Sequence, residues 1–126
     1  MAGQTSLTGK LEGKTFDSPD ETRTFDKGKL QLVHVTGATI GRFMLEPGWQ
    51  WSKSVKPIVN TESCQQDHVG LLLSGRLKVR LDDGTEREYG PQEVQHVPPG
   101  HDAWVVGNEP AVLLDIKGAA DYAKAK

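Results

Sequence analysis

Arg76-Leu77-Lys78-Val79-Arg80-Leu81-Asp82-Asp83-Gly84-Thr85-Glu86-Arg87-Glu88-Tyr89 is the stretch on which the fold turns. Basic and aliphatic residues alternate through its first half, the period of two of a strand with one wet and one dry face. Leu77, Val79 and Leu81 are therefore expected inside, with Arg76, Lys78 and Arg80 outside. Asp83-Gly84 supplies residues that tolerate positive φ, as a tight hairpin turn needs. Thr85 to Tyr89 returns as the partner strand, and its glutamates are placed to meet the basic row across the ladder.

The same pattern continues on both sides of this hairpin. Leu30 to Val35 and Thr39 to Leu45 are strand-like around a Thr36-Gly37-Ala38 turn, and Pro47-Gly48 breaks the second. His68 to Leu73 is an apolar run that Ser74-Gly75 ends; Val94 to Val97, Asp102 to Val106 and Ala111 to Ile116 follow. Short strands with turn signals every ~8–12 residues belong to sandwiches and barrels. The expected fold class is all-β, closed as an antiparallel barrel or jelly roll. Residues 1–21 lack periodicity and are expected to form a mobile arm or an edge strand. Residues 22–118 make the barrel domain, and residues 119–126 a tail, the one segment with helical character.

Composition removes several function classes. The chain has 126 residues, one domain's worth, and needs neither disulfides nor a structural metal to fold. Lys plus Arg is 15 against 17 Asp plus Glu, a net charge of −2. The basic excess of a nucleic-acid binder is missing. No apolar run approaches the ~18 residues of a membrane span. Met1 to Ser6 has neither the basic start nor the apolar core of a secretory signal. Cys64 is the single cysteine and fits a reducing compartment, so a cytoplasmic location is expected.

Glu62-Ser63-Cys64-Gln65-Gln66-Asp67-His68-Val69-Gly70-Leu71-Leu72-Leu73-Ser74-Gly75 resembles the first motif of the cupin superfamily: His-x-His, three or four residues, Glu, six residues, Gly. Six residues separate His68 from Gly75, as in that pattern. Glu46-Pro47-Gly48 is similar to the Pro-Gly that often precedes it. Gly90 to His101, with Pro98-Pro99-Gly100 at its core, resembles the second motif, Gly, five residues, Pro-x-Gly, two residues, His, with Gln92 in place of the opening glycine. Together these cover residues 46–108, about half the chain. The resemblance implies a cupin-like antiparallel jelly-roll β-barrel, a homodimer, and small-molecule chemistry in the barrel mouth. Cupin metal sites take two His and a Glu from the first motif and one His from the second. Here those positions read Glu62, Cys64, His68 and Ala103, with His101 two residues before the last.

Two readings of these positions are open. In the first, Glu62, Cys64 and His68 supply O, S and N, and His101 or His96 a further N, to one divalent ion, zinc or iron. Such a set leaves a coordination position for water or substrate. In the second there is no metal. Cys64 is then a buried small hydrophobe, Glu62 is solvated, His34 and His96 are structural, and His101 caps its turn. Metal-free, His68 is the candidate general acid/base. Trp51, Trp104 and Leu72 are the candidate substrate wall; Trp49 and Trp51, two apart, share a face if the segment is a strand. Lys53 and Lys56 could meet an anionic substrate there. Leu71 and Leu73, facing away from His68 and Leu72, need cover, as a dimer would give. The expected function is a lyase, isomerase or oxygenase acting on a small molecule. The rival is a non-catalytic binding module for sensing or carriage, and a Cys64/His68 hydrolase ranks third for want of an oxyanion-hole signature.

Overall fold

The computed structural model describes residues 9–120 and 122–124. The opening hairpin forms as β5 (Leu77–Leu81) and β6 (Glu86–Tyr89). Leu77 and Val79 are buried, Leu81 half-buried at the strand end, and Arg76 and Arg80 exposed. Gly84 takes φ +93°, and Asp83 Oδ1 accepts the Thr85 N–H at 2.9 Å, which closes the turn. Lys78 faces Glu88 in register but pairs diagonally with Glu86 at 3.2 Å, leaving Glu88 to Arg76.

The remaining strands are β1 (Glu21–Phe25), β2 (Gly28–Val35), β3 (Ala38–Leu45), β4 (His68–Ser74), β7 (Val94–Val97), β8 (His101–Val105) and β9 (Ala111–Lys117). They make two antiparallel sheets, ordered β1-β2-β3-β9-β4-β7 and β6-β5-β8. Leu30, Leu32, Phe43, Leu45, Leu72 and Leu113 from the large sheet pack with Leu77, Val79, Ala103 and Val105 from the small one into a single core. β9, last in sequence, lies in the middle of the large sheet between β3 and β4. Gly70 opposes Asp115 there beside a bulge, and a Cβ on Gly70 would run into the Leu114 carbonyl. Glycine is required by that close approach.

Two local expectations are corrected. Trp51 is not in a strand: it opens α1 (Trp51–Ser54), which α2 (Lys56–Val59) follows. Trp51, Ser54 and Val55 are buried, and their spacing of three and four is one helical face. Pro57 is accommodated in the first turn of α2, where no N–H is needed. The tail is not helical among its described residues. It turns after Gly118 and buries Tyr122 edge-on against Phe43, while Arg23 Nη1 donates to the Tyr122 carbonyl at 2.7 Å. Of the N-terminal arm, residues 1–8 lie outside the described residues. Residues 9–20 run outside any strand along the β2–β3 hairpin, where Glu12 accepts the Thr36 N–H at 2.8 Å and Asp20 that of His34 at 2.7 Å. No helix among the described residues is long and apolar enough to cross a membrane.

Candidate metal centre and cavity

Four side chains from four segments meet where the sheets face each other. β4 begins at His68, whose face it shares with Gly70 and Leu72. Asp115 of β9 is buried beside it, and the His68 Nδ1–H donates to Asp115 Oδ2 at 2.7 Å. Gly118, at φ +102°, makes room: a Cβ there would lie 2.7 Å from His68 Nδ1. On the facing side Cys64 and His101 form an isolated bridge, with the Cys64 N–H donating to His101 O at 2.8 Å and the Gly100 N–H to Cys64 O at 2.7 Å. His101 Nδ1 donates to Pro98 O at 2.7 Å, so this residue caps its turn and also reaches the cluster. His68 Nε2 lies 3.8 Å from Cys64 Sγ. The thiol and one ring nitrogen from each histidine lie within 4.8 Å of one another.

The electrostatics of this group are strongly coupled. Burial pushes the Cys64 thiol up, but hydrogen bonds from His101 and His68 outweigh it and bring the thiol down to about 6. Burial likewise disfavours charge on His68, and Asp115 with Cys64 overcomes this and lifts the imidazole to about 9. The metal-free cluster is therefore a thiolate–imidazolium pair backed by a carboxylate at neutral pH. Tyr122 is raised well above its ordinary value by burial, with the Cys64, Asp115 and Asp102 charges adding to it. Its hydroxyl stays neutral.

The donor set fits a borderline divalent ion. One sulfur and two imidazole nitrogens are suitable first ligands for zinc or iron. Each imidazole uses Nδ1–H on a protein acceptor, which fixes the tautomer that leaves Nε2 for a metal. Glu62 does not join them. Its side chain is 98% exposed and pairs with Lys56 at 3.7 Å. The cause is local: Glu62 and Cys64 would share a face only on a strand, and the segment after Asn60 (φ +57°) is irregular, with Ser63 turned in to Asp82 instead. His96 is on the outer face of β7, paired with Asp67 at 2.8 Å, and His34 is exposed on Thr39.

Beside the cluster lies a cavity of about 60 Å³, walled by Phe43, Trp49, Trp51 and Val79 among others, with Gln95, His68, His101 and Asp115 as polar members. Trp51 is in the wall as expected. Leu72 is fully buried on the His68 face but is not among the lining residues. Trp104 is placed elsewhere, half-buried on the outer face of β8, because Ala103 and Val105 take the inner face. Lys53 and Lys56 do not reach the cavity, and Ser54 is buried against Asp26 at 3.4 Å. The residues that sequence reasoning missed are Asp115 and Gln95. Asp115 carried a signal: alternation puts it with Ala111 and Leu113 on the buried face of an apolar strand, where an unpaired carboxylate is costly.

No protein-family model matches the chain, and no curated protein does. Solved structures do resemble it. A protein of unknown function from Rhizobium leguminosarum is 24% identical over 86% of this chain and 96% of its own, with a TM-score of 0.56. A cupin-superfamily sugar phosphate isomerase from Silicibacter pomeroyi is 19% identical over 83% of this chain and 74% of its own, TM-score 0.59. A cupin-2 domain protein from Rhodospirillum rubrum is 18% identical over 86% and 68%, TM-score 0.55. At these identities what is shared is architecture, and two facing antiparallel sheets in this order agree with it: the chain has the cupin fold.

Proposed function

We propose that this chain is a small-molecule enzyme of the lyase, isomerase or oxygenase type, working in the cavity with one divalent ion, zinc or iron, held by Cys64, His68 and His101. The observation that carries this is orientation: both imidazoles direct Nδ1–H into the protein, to Asp115 and Pro98, and gather around the one thiol. When bound, the ion supplies a Lewis acid at the cavity wall. Asp115 keeps His68 in the ligating tautomer and raises its basicity. Cys64, already a thiolate at neutral pH, gives the ion a charged partner without first losing a proton. Phe43, Trp49 and Val79 exclude bulk water from whatever binds beside them.

Metal analysis of protein purified without a His-tag tests the reading. About one equivalent of zinc or iron is expected, lost in His68→Ala and in Cys64→Ser and kept in His34→Ala. Wild-type protein that neither carries nor takes up either metal would overturn it. The mostly apolar wall favours a second reading, a non-catalytic module that captures a ligand. His68→Asn separates the two: an enzyme loses turnover and keeps much of its affinity, whereas a module changes affinity alone. The proposal further takes the chain as a cytoplasmic homodimer, its subunits meeting over Leu71, Val94 and the neighbouring apolar side chains of the large sheet's outer face. Val94 is 74% exposed and Ile116 61%.

A further inference from the structure

Two residues that line the cavity each carry a buried polar atom without a hydrogen-bond partner among the described residues. The atoms are Trp49 Nε1, a donor, and Gln95 Oε1, an acceptor. Both residues are more than nine-tenths buried, at 3% and 7% exposure. Each comes from a different side. Trp49 is tied to β8 of the small sheet, its carbonyl accepting the Val105 N–H at 3.1 Å, while Gln95 stands on β7 of the large sheet opposite Gly70. Along β7, Gln95 is two residues from Val97, the partner of His68. It therefore lies roughly 7 Å from the level of the candidate metal centre. Leaving a buried polar group unmade is destabilising, so a bound group that satisfied both atoms would gain by it.

The rest of the lining limits what could satisfy them. No lysine or arginine among the described residues lines the cavity. The His68 imidazole that does line it is already paired with Asp115 at 2.7 Å, so a phosphate or carboxylate would have to shed its water there with no unpaired cation to receive it. A divalent ion held by Cys64, His68 and His101 would have its charge offset by the Cys64 thiolate and by the Asp115 carboxylate behind His68. Isolated charge is therefore selected against, and a neutral group that both accepts and donates is selected for.

We infer that Trp49 and Gln95 form a recognition subsite for an uncharged, mainly apolar ligand whose polar end accepts from Trp49 Nε1–H and donates to Gln95 Oε1, as an amide or a hydroxyl does. This rests on the reading of the cavity as a small-molecule site. It sets the chain apart from the sugar phosphate isomerase whose fold it shares, since that enzyme's substrate class is anionic. It does not depend on the metal.

Three molecules of one shape test it: isobutyramide, 3-methyl-2-butanone and isobutyrate, titrated into the full chain both as purified and after metal removal, with binding followed by protein NMR. The amide offers donor and acceptor, the ketone an acceptor alone, and the carboxylate a charge. Isobutyramide is expected to bind about tenfold more tightly than either of the others, and Trp49→Phe and Gln95→Met are each expected to lose about tenfold for the amide. The melting temperature of ligand-free Gln95→Met gives an independent readout. It should equal or exceed that of the wild type, because an unmade polar group has been replaced by an apolar one of similar shape. Isobutyrate binding as well as the amide would overturn the inference. So would an amide indistinguishable from the ketone, meaning a bound water only, or a Gln95→Met protein that melts well below wild type. Amide selectivity in protein that neither carries nor takes up a metal would uphold the subsite while the metalloenzyme reading falls.

Discussion

At the scale of single residues, Asp115 is where the cluster is most exposed to test. It lies behind His68, touching the nitrogen that does not face Cys64. Asp115→Asn keeps an acceptor but removes the charge, and zinc affinity is expected to fall about 10–100-fold with the fold intact, measured by chelator competition. The pH dependence has a definite sign. Metal-free His68 holds its proton up to about 9, so binding at neutral pH must displace that proton and affinity falls as pH drops below 9. Below about 6 the Cys64 thiol also regains its proton, and the fall steepens. Competition titrations from pH 5.5 to 9.5 would show affinity rising throughout; a flat profile would contradict the ion pair. That Cys64 and His68 would meet was legible in the sequence because first-motif spacing survives changes of residue type, whereas the second-motif spacing pointed to Ala103 and His101 lies two residues before it. Glu62 was misread because a two-residue spacing locates a side chain only on a regular strand. Asp115 was missed because its role depends on which strands become neighbours, and nothing local to Ala111–Lys117 says that β9 will lie against β4.

At the scale of elements, β5 carries the clearest commitment. Val79 is 6% exposed and shares the inner face with Leu77, opposite Ala103 of β8. Val79→Asp would bring an unpaired charge into the core and is expected to destabilise by about 3 kcal/mol or more, or to prevent folding, as read by denaturant titration. Arg80→Asp on the same strand, facing solvent, should cost well under half of that. Where β9 ends, Gly118→Ala meets both a left-handed φ and His68 Nδ1, so it should lower the melting temperature and zinc affinity together. The strands were readable because a period of two needs only one dry face. The helices were not: nine residues from Trp51 to Val59 give two short turns, too few repeats for a period of 3.6 to stand out, and Trp49/Trp51 imitates alternation.

At the scale of the whole molecule, the outer face of the large sheet remains apolar where β7, β4 and β9 adjoin. Leu71 stands between Val94 and Leu114 in register, and none of the three is fully buried. A homodimer over this face should appear in sedimentation velocity, and Val94→Glu should shift it to monomer without changing zinc content. A monomeric wild type at high micromolar concentration would leave the face without that role. The architecture also has a consequence in time. β9 is the last strand among the described residues, yet it fills the gap between β3 and β4 and brings Asp115 to His68. While a ribosome is still making the segments before Ala111, both flanking strands are without their neighbour, and the two halves of the large sheet cannot join. Cys64 and His68 leave the tunnel long before their carboxylate does. Completion of the centre therefore waits for β9, and a nascent chain released before it would present two open edges to the cell's chaperones instead of a half-made site.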